Sequence, residues 1–215
     1  MKLAVIFDMD GVIADSEYLN VKAKHLILKQ EGIEVDWHYH DQYFGTTHEF
    51  MWTKMKQEFN LKQDVPYYIQ KWVKTRKELV NKEGIQPMPG VINLIHKLQE
   101  RQISLAVASS SLKEDIMENM KAFQIEDCFQ AFVSGSECKN GKPDPEIFLK
   151  AAKMLGKESK DCVVVEDSTA GVQAAKAAGM KCVGYAPRQA VKQDIHQADW
   201  ILHDFEKNIV EKILE

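Results

Sequence analysis

Leu3-Ala4-Val5-Ile6-Phe7-Asp8-Met9-Asp10-Gly11 decides how the rest of the chain is read. Five consecutive apolar residues, some β-branched, are cut off by two acids and a glycine. That pattern predicts a strand buried on both faces that runs into a tight acidic turn. Strands of this kind belong to parallel sheets, so further short apolar runs separated by helices are expected downstream. Runs at 103–108, 131–133, 162–165 and 181–185 meet that expectation, and amphipathic stretches near 91–101, 112–123, 145–155 and 169–178 alternate with them. Gly156 and Gly179 read as helix stops. The chain is thus expected to be α/β, with a doubly wound, Rossmann-like parallel sheet as its core.

One interval breaks the alternation. Between 17 and 83 no buried-strand run occurs, and helical stretches carry their own aromatic residues, Phe44, Trp52, Phe59, Tyr68 and Trp72. Asp64-Val65-Pro66 reads as a helix start and Gly32 and Gly84 as stops. The economical reading is a small all-helical cap inserted after the first strand, closed by the turn-rich Gly84-Ile85-Gln86-Pro87-Met88-Pro89-Gly90. Residues 1–16 and 84–215 would then form the core and 17–83 the cap. The aromatics at helical spacing are expected to be the cap's own core, since an insertion must bury something.

Composition narrows the partners. The 215 residues are 45% hydrophobic and 28% charged, which excludes disordered and fibrous classes. Lys plus Arg number 28 against 32 Asp plus Glu, a formal net charge of -4, so neither nucleic acid nor an anionic membrane is an expected partner. The opening apolar run is too short for a signal-peptide core or a membrane span, and a cytoplasmic monomer is expected. Cys128, Cys138, Cys162 and Cys182 form no Cys-x-x-Cys pair and read as reduced thiols rather than a zinc site.

In open α/β sheets ligands bind beyond the carboxyl ends of the strands, which singles out the residues directly after each run. These are Asp8-Met9-Asp10-Gly11, Ser109-Ser110-Ser111 and Glu166-Asp167-Ser168, together with Lys142 in Gly141-Lys142-Pro143-Asp144-Pro145. Taken singly each has a bland reading: a solvated turn, a helix N-cap, a surface lysine. Together they place four carboxylates, hydroxyls and one lysine at one sheet edge. Two adjacent acids closing a buried strand are costly without a counter-ion. Oxygen ligands without His or Cys suit Mg²⁺, which combines a few carboxylates with water and substrate phosphate. A small phosphorylated metabolite is therefore the expected substrate, with a carboxylate as a competent nucleophile toward phosphorus once positive charge offsets the repulsion.

These four motifs, in this order, resemble the haloacid dehalogenase superfamily, in the helical-cap branch that contains β-phosphoglucomutase and sugar phosphatases. The resemblance implies that Asp8 attacks phosphorus to form an aspartyl phosphate and that Asp10 is the general acid and base. It also implies Mg²⁺ held by Asp8, the Asp10 carbonyl and Asp167, with Glu166 supporting directly or from behind. Ser109, the Ser110 amide and Lys142 would bind the phosphoryl oxygens. In the cap, Gly45-Thr46-Thr47-His48 would be the substrate-facing turn, and Asn20 and Arg76 are further candidates. An acid two residues after the nucleophile favours phosphate-ester turnover over halide displacement. In the mutase pattern a His occupies the position aligned with Asn20, so a phosphatase is expected and β-phosphoglucomutase is the alternative. A receiver-type signalling module would be shorter and would lack Asp-x-Asp-Gly after its first strand. An inactive scaffold should have lost a motif residue, and none is lost here.

Overall fold

The computed structural model describes residues 3–43, 48–187, 193–205 and 210–211. Two compact units emerge, one formed by Met1–Asp15 with Gln86–Glu215 and the other by Ser16–Ile85. The crossings fall at 15/16 and 85/86, one residue before and two residues after the expected 16/17 and 83/84. A two-strand antiparallel ladder brackets them: β2 (Ala14–Asp15) pairs with β3 (Gln86–Pro87), with Ala14 opposite Pro87 and Asp15 opposite Gln86.

In the first unit β1 (Ala4–Phe7), β4 (Ser104–Ser109), β5 (Ala131–Ser134), β6 (Cys162–Glu166), β7 (Lys181–Tyr185) and β8 (Trp200–Leu202) form one sheet, in the order β5-β4-β1-β6-β7-β8. Every pairing in it is parallel. β1 lies between β4 and β6, and all four of its side chains are inaccessible to solvent, which is why it reads as an unbroken apolar run. α4 (Val91–Glu100), α5 (Lys113–Ala122), α6 (Glu146–Met154) and α7 (Thr169–Ala177) alternate with the strands. Ile147, Phe148, Ala151 and Ala152 from α6 and Val172, Ala174 and Ala175 from α7 share one core with Ile6, Ala106, Val133 and Val164. The chain runs outward from β1 to β4 and β5, then returns to the other side of β1 for β6. That reversal puts a topological switch point at the carboxyl end of β1.

The second unit holds α1 (Ser16–Gln30), a 3-10 turn (Trp37–Tyr43), α2 (His48–Phe59) and α3 (Val65–Glu83). Asp64 caps α3, its side chain accepting from the Tyr67 amide, and Gly84 ends it with φ of 70°. Trp52, Tyr68 and Trp72 are buried in the unit's own core with Leu19, Ile27, Leu28 and Met55. Cys128, Cys162 and Cys182 are buried thiols, Cys138 is half-buried, and none is disulfide-bonded. Among the described residues no helix is long and apolar enough to cross a membrane.

Candidate active site

Parallel register brings the acidic strand ends together. Phe7 lies opposite Val107 on one side and Val165 on the other, so the next residues, Asp8, Ala108 and Glu166, share one level of the sheet. The Asp8 amide continues the ladder by donating to the Val165 carbonyl at 2.9 Å. Met9, Val12 and Ile13 are buried and anchor the loop that follows. The amides of Val12, Ile13 and Ala14 all converge on the Met9 carbonyl, and none of them uses the Asp10 carbonyl.

Lys142 is the centre of the cluster. Its Nζ donates to Asp8 Oδ1 at 2.5 Å, Glu166 Oε1 at 2.7 Å and the Ala108 carbonyl at 3.4 Å, and it lies 4.9 Å from the centre of the Phe148 ring. Burial alone would lower the basicity of this ammonium, but the Asp8 and Glu166 carboxylates hold it above the ordinary lysine range. Lys142 is therefore a permanent cation here. Glu166 uses both oxygens within the protein, since Oε2 accepts from the Ser168 amide at 2.7 Å and the Ser168 hydroxyl at 2.9 Å. The Ser168 hydroxyl in turn accepts from the Gly171 amide at 3.0 Å and so caps α7.

Two glycines make room for these acids. Gly11 has φ of 82°, and a Cβ there would come within 2.8 Å of Asp167 Cγ. A Cβ on Gly171 would overlap the Glu166 carboxylate outright. Glycine is required at both places by close approach, and at Gly11 by backbone conformation as well.

The acids outnumber their cation. Burial pushes Asp8 up to about 7, and Glu166 and Asp10 add to that while Lys142 opposes it. Asp167 is driven well above the ordinary carboxylate range by burial and by the negative charge of Glu166 and Asp8. A bound cation would relieve both. Among the described residues no three His, Cys, Asp or Glu side chains converge on one point. Asp8, Asp167 and the Asp10 carbonyl would offer oxygen donors of the kind Mg²⁺ takes together with water and phosphate oxygens.

Ser109 ends β4 and is buried, whereas the neighbouring Ser110 is exposed. Read from sequence, Ser109 to Ser111 could cap a helix, but the N-cap of α5 is Leu112, which makes no side-chain cap bond. The hydroxyls turn to Asp10 instead: Ser111 Oγ donates to Asp10 Oδ2 at 2.6 Å and Ser109 Oγ to the same oxygen at 3.4 Å. Ser111 and Ser168 were not singled out as site residues from sequence, where a serine beside a strand end reads first as a cap.

A sequence profile of the haloacid dehalogenase-like hydrolases matches residues 5–185. The chain belongs to this family. As a haloacid dehalogenase-like hydrolase it is an enzyme of the phosphatase and phosphotransferase type. It is 33% identical over 178 residues to a phosphorylated carbohydrates phosphatase of Thermotoga maritima, covering 83% of this chain and 82% of that one. It is also 33% identical over 195 residues to the β-phosphoglucomutase of Bacillus subtilis, covering 86% and 84%. A Thermotoga maritima crystal structure assigned provisionally as a β-phosphoglucomutase superposes with a TM-score of 0.83 at 27% identity over 99% of this chain and 100% of that one.

Within the helical unit, Asn20 Oδ1 accepts from Arg76 Nε at 2.6 Å, its Nδ2 donates to Glu17 Oε2 at 3.1 Å, and its carbonyl accepts from Trp72 Nε1 at 3.2 Å. His48 lies against Trp72, ring centroids 4.2 Å apart, and burial followed by the charges of Lys24 and Arg76 lowers its basicity. Asn20, His48 and Arg76 thus share one neighbourhood. Gly45, Thr46 and Thr47 lie outside the described residues.

Proposed function

We infer that the chain is a Mg²⁺-dependent phosphatase of a small phosphorylated metabolite, a sugar phosphate, acting through an aspartyl phosphate on Asp8. The observation that carries the reading is the Asp8 carboxylate held through one oxygen by a buried permanent cation, with Asp10 two residues further on. Lys142 fixes Asp8 Oδ1 and leaves Oδ2 for in-line attack on phosphorus. Its charge also offsets the approach of a phosphate dianion to a carboxylate. Ser109 and the Ser110 amide orient the phosphoryl oxygens, and Asp10 protonates the departing alkoxide and later takes a proton from the attacking water. Asp8, Asp167 and the Asp10 carbonyl would hold Mg²⁺, with Glu166 behind them securing Lys142. When bound, the ion adds positive charge beside the phosphoryl group. The named activity of the Thermotoga phosphatase supports the carbohydrate class.

The test is a panel of phosphorylated metabolites assayed for inorganic phosphate with and without chelator, alongside β-glucose 1-phosphate assayed for the 6-phosphate. Phosphate release that requires Mg²⁺ and disappears in Asp8→Asn is expected. Fast isomerisation without phosphate release would replace the phosphatase with the mutase, and near-normal turnover by Asp8→Asn would remove the covalent mechanism.

A further inference from the structure

We propose that Ser111 is a positioning residue that fixes the rotation of the Asp10 carboxyl group. The inference rests on the phosphatase reading and adds a residue that the reading does not require. Asp10 Oδ2 accepts from two hydroxyls, Ser111 at 2.6 Å and Ser109 at 3.4 Å, whereas Oδ1 takes no hydrogen bond among the described residues. Two contacts to a single oxygen fix the rotation of the Asp10 carboxyl group and leave Oδ1 as the edge that can meet the leaving oxygen.

Ser111 is itself held from both ends. Its amide donates to Ser109 Oγ at 3.1 Å and its carbonyl accepts from Ser134 Oγ at 2.7 Å, while Ser134 Oγ is bonded to Ser136 Oγ at 2.8 Å. Ser134 is fully buried and pairs with Ser109 across β4 and β5, so the support reaches into the sheet. A Cβ on Gly135 would stand 3.0 Å from the Ser110 Cα, which keeps the two strand ends in close register. The Ser111 hydroxyl caps no helix, because α5 begins behind Leu112 without a side-chain cap. A solvent-facing loop serine has no need of this support. A serine that must hold a carboxyl group to a fraction of an ångström does.

Leaving groups separate this role from plain loop structure. The value of kcat/KM reports steps up to departure of the leaving group. An alkoxide needs the Asp10 proton and p-nitrophenolate does not. Ser111→Ala and Ser111→Thr would be assayed with p-nitrophenyl phosphate and with the primary alkyl phosphate of the panel that wild type turns over best. In Ser111→Ala the alkyl kcat/KM is expected to fall roughly 10- to 100-fold, with the p-nitrophenyl value within about twofold of wild type. Ser111→Thr should keep the alkyl value near wild type, and Ser111→Ala should change nothing further in an Asp10→Ala background. Equal losses on both substrates, no loss on the alkyl ester, or a Ser111→Thr value as low as that of Ser111→Ala would each overturn the proposal. Wild-type protein that releases phosphate from neither ester would instead refute the phosphatase reading, and this inference with it.

Discussion

Gly171→Ala should destabilise the protein, against the ordinary rule. Alanine is favoured over glycine inside a helix by about 1 kcal/mol, so this substitution early in α7 would normally stabilise. Here the added Cβ would occupy the space of the Glu166 carboxylate, which must swing away. That carboxylate holds three donors, Lys142 Nζ at 2.7 Å, the Ser168 amide at 2.7 Å and Ser168 Oγ at 2.9 Å. Bonds to a charged group contribute about 1.5–3 kcal/mol each, so losing two of them costs ~3–6 kcal/mol. Subtracting the helix gain leaves a net loss of ~2–5 kcal/mol, or roughly 5–15 °C in melting temperature for a chain of this size. Urea and thermal unfolding followed by far-ultraviolet circular dichroism would measure it. Gly141→Ala, where a Cβ would meet nothing within 4 Å, serves as the control. In a Glu166→Ala background the obstruction is gone and Gly171→Ala should regain its usual stabilising sign. A Gly171→Ala midpoint at or above wild type, or an unchanged penalty in the Glu166→Ala background, would refute the assignment of glycine to that carboxylate.

Two further outcomes follow from the same geometry. Gly11→Ala, at φ of 82° and with a Cβ 2.8 Å from Asp167 Cγ, should displace Asp167 by about an ångström. It should lower kcat/KM by ~100-fold and raise the Mg²⁺ concentration needed for half-activation, as read by metal titration of phosphate release. His40 is fully buried in the helical unit, neither ring nitrogen has a hydrogen-bond partner among the described residues, and burial, then the charges of Lys24 and His25, lower it from 6.5 to about 4, with Asp41 opposing. The folded state therefore keeps His40 neutral while the unfolded chain protonates it. The resulting stability, at most ~3 kcal/mol, is complete above pH 6.5 and lost as pH falls toward 4. Urea midpoints measured across that window should fall less steeply in His40→Phe, and parallel slopes would refute the assignment.

The sheet was legible because its strands are buried on both faces. The residues that end β1, β4 and β6 were legible because parallel register sets them side by side, so position after an apolar run was enough to nominate Asp8, Ser109 and Glu166. β8 escaped because Trp200-Ile201-Leu202 is a three-residue edge strand with an exposed Ile201, without the length or burial that marks the others. β2 and β3 escaped because two residues beside turns carry no period. Side-chain direction was the larger gap. Nothing in Ser109-Ser110-Ser111 tells a hydroxyl aimed at Asp10 from one that caps α5. Likewise nothing in Glu166-Asp167 tells the carboxylate that binds Lys142 from the one that lies over Gly11, because adjacent residues on a strand end differ only in which way they point.

The roles proposed for Asp8 and Asp10 agree with the chemistry of their donors. Asp8 faces Lys142, an ammonium with donors only, so every contact from that partner favours the carboxylate over the acid. Asp10 faces hydroxyls, which donate to Oδ2 whether or not Oδ1 carries a proton, so neither protonation state breaks the contact. The residue proposed as nucleophile has a partner that tolerates one state, and the residue proposed to cycle a proton has partners that tolerate both. The same distinction explains how an acidic chain can accept a phosphate dianion. The net charge of -4 sums over the whole surface, whereas the phosphoryl group meets a few buried groups, where one ammonium and the metal that Asp8 and Asp167 are suited to hold set the local sign.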